Sequence, residues 1–221
     1  MDRENLLLHE ILANDQEYLY NMASKTVVIC GVGAIGSHLA NHLVRQGISK
    51  MRVIDDDRVE EHNIGTQLYG ITDIGAFKTK ALQARIYLDM EIDVLAETRR
   101  LTQSNTKKFL KNADLIVDCF DNSESRKLVM NYCGFYEKAC LHCGMGEGYG
   151  LVHWNAGYQV PKDTIAPDVC EYPLSLDLIK MTVLMANTAS KEYLLYGFES
   201  NYECTIRDFK VRKYATITHT D

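Results

Sequence analysis

Three glycines stand in the run Gly31-Val-Gly33-Ala-Ile-Gly36, which directly follows a short apolar stretch and directly precedes a segment of helical character. Glycine lets a backbone turn tightly and approach a phosphate, and a helix N-terminus offers it free N–H groups and positive potential. Asp55 ends the next apolar stretch, about 20 residues further on, where a carboxylate can accept hydrogen bonds from both ribose hydroxyls. Together these residues predict a nucleotide-binding site.

The class of nucleotide stays open on these residues alone. The glycines and Asp55 would suit a nicotinamide cofactor equally well, but an oxidoreductase also needs a hydride-transfer acid such as a Tyr–Lys pair. The sequence offers no convincing pair of that kind. The remaining alternative is a glycine turn and a loop aspartate that bind nothing, which the strand before the run and the helix after it disfavour.

The glycine run lies within a regular alternation of apolar runs and helical patterns that extends to about residue 144. Apolar runs typical of strands occur at 26–30, 51–54, 92–96 and 113–119. Helical spacing occurs at 5–20, 38–46, 76–88 and 123–137, the last with Asn122 or Ser123 as its N-cap. Alternating strands and helices predict βαβ units and a parallel sheet.

The pattern changes after residue 144. Five glycines between residues 144 and 157 separate short strand-like pieces around Val152 and Val160. A long helical pattern follows at about 174–196, and the tail at 203–218 alternates like a closing pair of strands. This half of the chain is therefore not expected to continue the βαβ units.

Composition excludes several classes of protein. Twenty-four Lys and Arg against 30 Asp and Glu give a net charge of −6, which disfavours a nucleic acid or an anionic membrane as partner. No apolar run approaches the roughly 20 residues of a membrane span, and the N-terminus has no secretory pattern. Seven scattered cysteines indicate free thiols, so we expect a cytoplasmic protein.

Four motifs, in order, resemble those of the ThiF/MoeB/HesA superfamily, the ubiquitin-activating-like adenylyltransferases. The first is the glycine run. The second matches Asp-x-Asp-x-Val followed by Asn-Leu-x-Arg-Gln, and falls on Asp55, Asp57, Val59, Asn63 and Gln67. Asp73-Ile-Gly-Ala-Phe-Lys78 is similar to Gly-x-x-Lys at a helix start, and Asp118-Cys-Phe-Asp121-Asn-Ser-Glu-Ser-Arg126 to Asp-x-x-Asp-Asn-x-x-x-Arg. Order and spacing agree over residues 25–130.

The resemblance implies that ATP activates the C-terminal carboxylate of a small ubiquitin-like or sulfur-carrier protein as an acyl adenylate. Lys78 would then lie against the phosphates and Asp121 would help to hold Mg²⁺, with Asn63 and Asn122 orienting phosphate or adenosine. Gly31, Gly33, Gly36, Asp55, Asp57 and Gln67 would complete the nucleotide site. Without the resemblance, Lys78 would be a solvated charge on a helix, Asp121 could cap the following helix, and Arg126 fits an ion pair as well as a phosphate contact.

The resemblance also implies the architecture: a Rossmann-like, mostly parallel α/β sheet that is extended by antiparallel strands and has helices on both faces. We expect one adenylation domain over residues 1–221. Its parts are an N-terminal helix (1–24), a nucleotide-binding half (25–144), and an antiparallel extension with a crossover loop and a long helix (145–221). Relatives of this kind work as homodimers or heterodimers, so a dimer is expected by analogy.

Two departures from the family pattern bear on activity. Thr66 stands where the motif has arginine, and a neutral side chain cannot form a bidentate phosphate contact. Residues 1–24 contain one arginine, Arg3, and lack the N-terminal Arg-Tyr-x-Arg-Gln stretch that the family commonly supplies. An alternative function is therefore a nucleotide-binding subunit of little activity that scaffolds an active partner.

The cysteines raise two further questions. Cys140-Leu-His-Cys143 has a zinc-like spacing, but a structural zinc site needs four ligands and no second pair follows, so zinc is not expected. We expect Cys140 and Cys143 to point to one face of a strand. Cys170, just before the long helix, lies roughly where relatives that form a thioester or persulfide place a cysteine, which makes it a candidate catalytic thiol.

Overall fold

The computed structural model describes residues 3–163 and 175–215, and within these ranges all eight strands belong to one sheet of order β3-β2-β1-β4-β5-β6-β7-β8. The described strands are β1 (Thr26–Cys30), β2 (Lys50–Ile54), β3 (Leu95–Glu97), β4 (Leu115–Asp118), β5 (Cys140–Gly146), β6 (Tyr149–Trp154), β7 (Ser200–Thr205) and β8 (Lys210–Ala215). The described helices are α1 (Arg3–Leu6), α2 (Leu8–Ala13), α3 (Gln16–Ser24), α4 (Gly36–Arg45), α5 (Lys78–Met90), α6 (Gln103–Leu110), α7 (Ser123–Phe135) and α8 (Leu176–Tyr196).

The sheet is parallel from β3 to β5 and antiparallel from β5 to β8. Cys30 is in register with Ile54 on one side and with Asp118 on the other, and Asp118 is in register with His142. The carboxyl ends of β1, β2 and β4 therefore meet at one edge of the sheet. The mixed sheet expected from the resemblance is confirmed.

Helices cover both faces of the parallel half, as expected. Along β1, Val27 and Ile29 pack with α3, α4, α5 and α8 on one face, whereas Val28 and Cys30 pack with α6 and α7 on the other. This alternation follows from the two-residue period of a strand. Among the described helices, none combines the length and the apolar character that a bilayer crossing requires.

Several local predictions were wrong. The opening helix is divided into α1, α2 and α3, and Asp15 begins α3 by accepting a hydrogen bond from the backbone N–H of Tyr18 at 2.7 Å. Helix α6 was missed, since its start depends on Asn105, whose side chain accepts from the N–H of Thr102 at 2.8 Å. No strand forms around Val160, where residues 155–163 are irregular.

Cys140 and Cys143 point to opposite faces of the sheet, which corrects the prediction that they share one. Cys140 packs with α7, whereas Cys143 packs with the core beneath α8. Residues three apart on a strand differ in side by necessity, so this pair cannot chelate one ion from its strand. Burial raises the pKa of Cys140 and of Cys30, which is a thiol of the core.

The two-faced core predicts a large difference between two leucine truncations. Leu43 on α4 is fully buried, whereas Leu88 on α5 is 80% exposed. Leu43→Ala is expected to lower the free energy of unfolding by about 2–5 kcal/mol, and Leu88→Ala by less than about 0.5 kcal/mol. Urea unfolding followed by fluorescence of the single tryptophan, Trp154, measures both. Equal midpoints for the two variants would contradict the packing of α4.

Candidate nucleotide site

The glycine run turns where β1 ends, and its three glycines have different functions. Gly31 has a φ of +84°, and a Cβ there would lie 2.8 Å from the carbonyl oxygen of Cys119 at the end of β4. A Cβ at Gly36 would overlap the carbonyl oxygen of Gly31. A Cβ at Gly33 would meet only the Nε2 of Gln67, at 4.0 Å. Gly31 and Gly36 are therefore required by packing, whereas Gly33 leaves its backbone open to a ligand.

Asp55 ties the glycine run to the end of β2. Its Oδ2 accepts a hydrogen bond from the N–H of Val32 at 2.8 Å, and its Oδ1 accepts one from the N–H of Asp57 at 2.9 Å. Burial raises the pKa of this carboxyl, while the Val32 N–H and the charge of Lys78 oppose the rise. Asp55 therefore organises the loops in addition to the predicted contact with a ribose.

Lys78 is buried, which overturns its reading as a solvated charge. Its residue is 8% exposed, and its Nζ donates a hydrogen bond to the Oδ2 of Asp57 at 2.8 Å. It is the first residue of α5, where the helix dipole disfavours a cation. A buried cation at an unfavourable helix end, offset by one exposed carboxylate, indicates a functional requirement rather than a structural one.

The loop between β2 and α5 returns Lys78 to the sheet edge. The guanidinium of Arg58 lies over the ring of Phe77, 3.9 Å from its centroid, and donates to the carbonyl oxygen of Gly75 at 2.6 Å. The backbone N–H of Lys78 donates to the carbonyl oxygen of Asp57 at 2.9 Å. These contacts close the loop at its base, so Lys78 follows directly beside Asp57.

Two predicted side chains lie within this loop, and one of them suits a ligand. Asn63 is buried, and its Oδ1 accepts from the N–H of Glu60 at 2.9 Å, which is a local capping contact. The Oε1 of Gln67 is buried and has no hydrogen-bond partner among the described residues. Because Gln67 lies beside the open backbone of Gly33, this acceptor fits a ligand hydroxyl or amine that donates to it.

Thr66 places a neutral group where the resemblance has arginine. Its carbonyl oxygen lies 3.2 Å from the Nε2 of His38 on α4. Burial lowers the pKa of His38, although the contact with Thr66 opposes this, so the neutral imidazole is favoured. His38 therefore does not replace the missing cation at this position.

Asp121 and Asn122 form the turn between β4 and α7. The Oδ1 of Asn122 accepts from the N–H of Ser125 at 2.9 Å, so Asn122 is the N-cap, as one of the two predicted alternatives held. Asp121 does not cap the helix, and its carboxylate is exposed, with the Nδ2 of Asn122 at 3.4 Å from its Oδ1. An exposed carboxylate of this kind fits Mg²⁺, which keeps several waters and uses one or two carboxylates.

Asp55, Asp56 and Asp57 form the one group of three or more metal-ligating side chains in the described ranges whose ligand atoms lie close enough to share a metal, within 4.8 Å. Asp55 is already bonded to two backbone N–H groups and Asp57 to Lys78. Asp55 and Asp57 therefore hold the loop in place, the first through backbone hydrogen bonds and the second through an ion pair. Asp121, which lies outside this group, is the better candidate for the metal.

Arg126 is a structural ion-pair residue, one of the two alternatives that the sequence left open. Its guanidinium lies 3.8 Å from Asp118 and donates to the hydroxyl of Tyr158 and to the carbonyl oxygen of Cys143, each at 2.8 Å. Burial by itself would lower the pKa of Arg126. The charge of Asp118 and the smaller contributions of Tyr158 and Cys119 together exceed this effect, so the pKa is raised.

Sequence reasoning missed Tyr158 and the contacts of His142, for which no local signal existed. Cys170 lies outside the described residues.

The structure thus brings together the glycine run, Asp55, Asp57, Gln67 and Lys78, with the turn of Asp121 and Asn122 beginning on the adjacent strand. The loops after β1, β2 and β4 share the carboxyl edge because those strands are neighbours and parallel. An open glycine backbone, a helix N-terminus, an unpartnered acceptor and a buried cation lie along this edge. That set fits a nucleotide with its phosphates.

Comparison with known proteins identifies a family and several relatives. The model of the ThiF family matches residues 3–169. A sulfur carrier protein adenylyltransferase of Thermus thermophilus is 34% identical over 126 residues, which are 56% of this chain and 45% of that protein. The sulfur carrier protein ThiS adenylyltransferase of Escherichia coli is 31% identical over 130 residues, 58% of this chain and 51% of that protein. The chain thus spans about half the length of these curated relatives.

A solved structure with the same fold is Escherichia coli MccB with MccA-N7isoASN. It has a TM-score of 0.82, 16% sequence identity, and covers 98% of this chain and 72% of that one. At this identity the likeness concerns the fold.

Because the glycines have different functions, substitution of Gly33 should affect ligand binding and substitution of Gly31 should affect stability. Gly33→Ala is expected to leave the Tm of the free protein unchanged and to reduce the rise in Tm that Mg-ATP produces, because a methyl group would cover the open backbone. Gly31→Ala is expected to cost about 2 kcal/mol or more, because alanine there is strained and meets the end of β4. Thermal unfolding with and without Mg-ATP measures both. A full Mg-ATP shift in Gly33→Ala would place the nucleotide elsewhere.

Proposed function

The chain belongs to the ThiF family, and on that premise we propose that it uses ATP to activate the C-terminal carboxylate of a small ubiquitin-like or sulfur-carrier protein. The carboxylate attacks the α-phosphorus of ATP, the bond to the leaving pyrophosphate breaks, and an acyl adenylate forms. The single observation that carries this proposal is the buried Lys78 beside Asp57 and Asp55. The two relatives described above are adenylyltransferases of sulfur carrier proteins, which supports the choice of substrate.

The residues at the carboxyl edge have different roles in the proposed reaction. The open backbone of Gly33 and the N-terminus of α4 receive phosphate oxygens, and Asp55 accepts from the ribose. Lys78 stabilises the negative charge that develops on the phosphoryl oxygens. Its attraction is strong because the side chain is only 10% exposed and is little screened by water. Gln67 orients the nucleotide through its amide group, and the resemblance assigns the same role to the Nδ2 groups of Asn63 and Asn122, whose Oδ1 atoms are occupied by capping contacts.

Asp121 is the residue to which we assign Mg²⁺. When bound, the ion would neutralise charge on phosphate oxygens. Two supports are that Asp121 is exposed and that Asn122, not Asp121, caps α7. A third is the position of Asp121 in the turn that follows β4, the neighbour of β1.

Beyond adenylation, we propose that Cys170 receives the activated carboxyl group as a thioester, and that the protein works as a homodimer or a heterodimer. Both follow from the family resemblance. In the thioester step the thiolate sulfur attacks the acyl carbon, and AMP leaves with the bonding electrons.

Thr66 favours one alternative, a nucleotide-binding subunit that supports an active partner. The neutral Thr66 and the neutral form of His38 leave this part of the loop without the family's cation. Exchange of radiolabelled pyrophosphate into ATP, with and without a small carrier protein, separates the two functions. ATP binding without exchange would favour the supporting subunit.

Lys78→Met is expected to lower the rate of ATP–pyrophosphate exchange by about 100-fold or more, because the transition state loses a cation in a site of low exposure. The fold should persist, since the partner carboxylate of Asp57 is 63% exposed and becomes solvated. The matched control is Lys80→Met, two residues on, where Nζ bonds to Gln83 at the surface. Equal rates for the two variants would remove Lys78 from the reaction.

Thr66→Arg is expected to lower the KM for ATP or to raise the exchange rate by about tenfold, because a guanidinium can form a bidentate contact with phosphate. Thr66→Ser is the control that changes the side chain without adding charge. Initial exchange rates over a range of ATP concentrations give both constants. Unchanged constants in Thr66→Arg would show that this position does not face phosphate.

A further inference from the structure

Residues 155–163, here called the strap, run over β5 from the start of that strand to the carboxyl end of the sheet, where α7 begins. The strap begins at the end of β6, where Leu141 is in register with Trp154, and the N–H of Asn155 donates to the carbonyl oxygen of Cys140 at 3.0 Å. The ring of Tyr158 then stacks on that of His142, with centroids 3.8 Å apart. The strap reaches the start of α7, where the carboxylate of Asp163 accepts from the N–H and Oγ of Ser123 at 2.6 and 2.8 Å.

Beneath the strap lies a cluster of buried polar groups. The Nδ1 of His142 lies 2.8 Å from the Oδ2 of Asp118, and both side chains are fully buried. The Nε2 of His142 lies 2.8 Å from the Oδ1 of Asn155. Arg126 adds a cation near Asp118, with its side chain 9% exposed. Taking such charges out of water is costly, and apolar residues of similar size would often give an equally stable core.

The cluster holds the turn that carries Asp121 from both of its ends. Asp118 is the last residue of β4, and its Oδ1 accepts from the N–H of Phe120 at 3.1 Å. Arg126 lies in the first turn of α7, where its N–H donates to the carbonyl oxygen of Asn122. Tyr158 contacts the cluster twice, through its ring on His142 and through its hydroxyl oxygen, which accepts from Arg126.

We propose that Tyr158 is a positioning residue of the adenylation site. Its contact with Arg126 fixes the start of α7, and its stack on His142 fixes the partner of Asp118, so the turn of Asp121 and Asn122 has one geometry. The proposal rests on the proposed function, because it assigns to this turn the metal carboxylate of adenylation. An apolar core at this place would be sufficient for folding. A cluster of charged groups is explained instead by the need to hold the turn of Asp121 and Asn122 in one geometry.

The test uses a conservative variant. Tyr158→Phe removes the acceptor for Arg126 and keeps the ring on His142, so the fold should persist with a nearly unchanged Tm. The kcat of ATP–pyrophosphate exchange is expected to fall about 10- to 100-fold, because small displacements of a metal carboxylate are costly in the transition state. The KM for ATP should change less than about twofold, and half-activation should require several times more Mg²⁺. The matched control is Tyr136→Phe, at the other end of α7 and 41% exposed.

A double-variant cycle separates positioning from general support. Arg126→Lys keeps the charge and loses the planar fork, so it should lower kcat to a similar degree. The double variant Tyr158→Phe with Arg126→Lys should then lose little more than either single variant, because both act through one contact. Additive losses that follow the Tm would overturn the proposal in favour of a structural role. Wild-type kcat in Tyr158→Phe would overturn it as well.

Hydrogen–deuterium exchange distinguishes failure of the inference from failure of the proposed function. If the wild-type chain shows no pyrophosphate exchange, the adenylation proposal fails and the positioning role fails with it. The coupling of strap and turn is then judged separately. Faster deuterium uptake at 155–163 and at 119–125 in Tyr158→Phe, with β1 and α4 unchanged, supports that coupling. Unchanged uptake in both segments contradicts it.

Discussion

The arrangement of the site depends on one buried carboxylate, that of Asp55. A carboxylate that is 7% exposed must find hydrogen-bond donors, because leaving it unpaired would cost several kcal/mol. It finds them in the backbone N–H groups of Val32 and Asp57, one in the loop after β1 and the other in the loop after β2. The two loops are therefore joined at the carboxyl edge of the sheet. This joint sets where Gly33 is open and where Asp57 can hold Lys78.

The electrostatics of the carboxyl edge depend on Lys78, a cation at an unfavourable helix end. Lys78 stands at the N-terminus of α5, where the helix dipole repels positive charge, and its side chain is largely withdrawn from water. The closed loop that begins at Arg58 and ends at Phe77 fixes this position. A positive charge held in low dielectric at the same sheet edge as an open glycine backbone attracts phosphate more strongly than a solvated lysine would.

A second polar anchor is formed by side chains of β4, β5 and α7. Asp118 and His142 pair within the sheet, and Arg126 joins them to the strap through Tyr158. The first anchor organises the glycine run and the lysine, and the second organises the turn with Asp121. Between them the two anchors hold residues from distant parts of the chain at one edge. The apolar faces of the sheet supply the stability on which both depend.

The sequence by itself determined the parallel half of the fold, the glycine turn after β1 and the family, because alternating strands, helices and a glycine run are local signals with fixed periods. It also indicated Asn122 as one of two candidates for the cap of α7. Tertiary structure decided the burial of Lys78, the ion-pair role of Arg126, the opposite faces of Cys140 and Cys143, and the contacts of His142 and Tyr158. These last contacts join residues 24 and 32 positions apart. No local pattern encodes such pairs, because their partners are chosen by strand order and register, which form only when the sheet assembles.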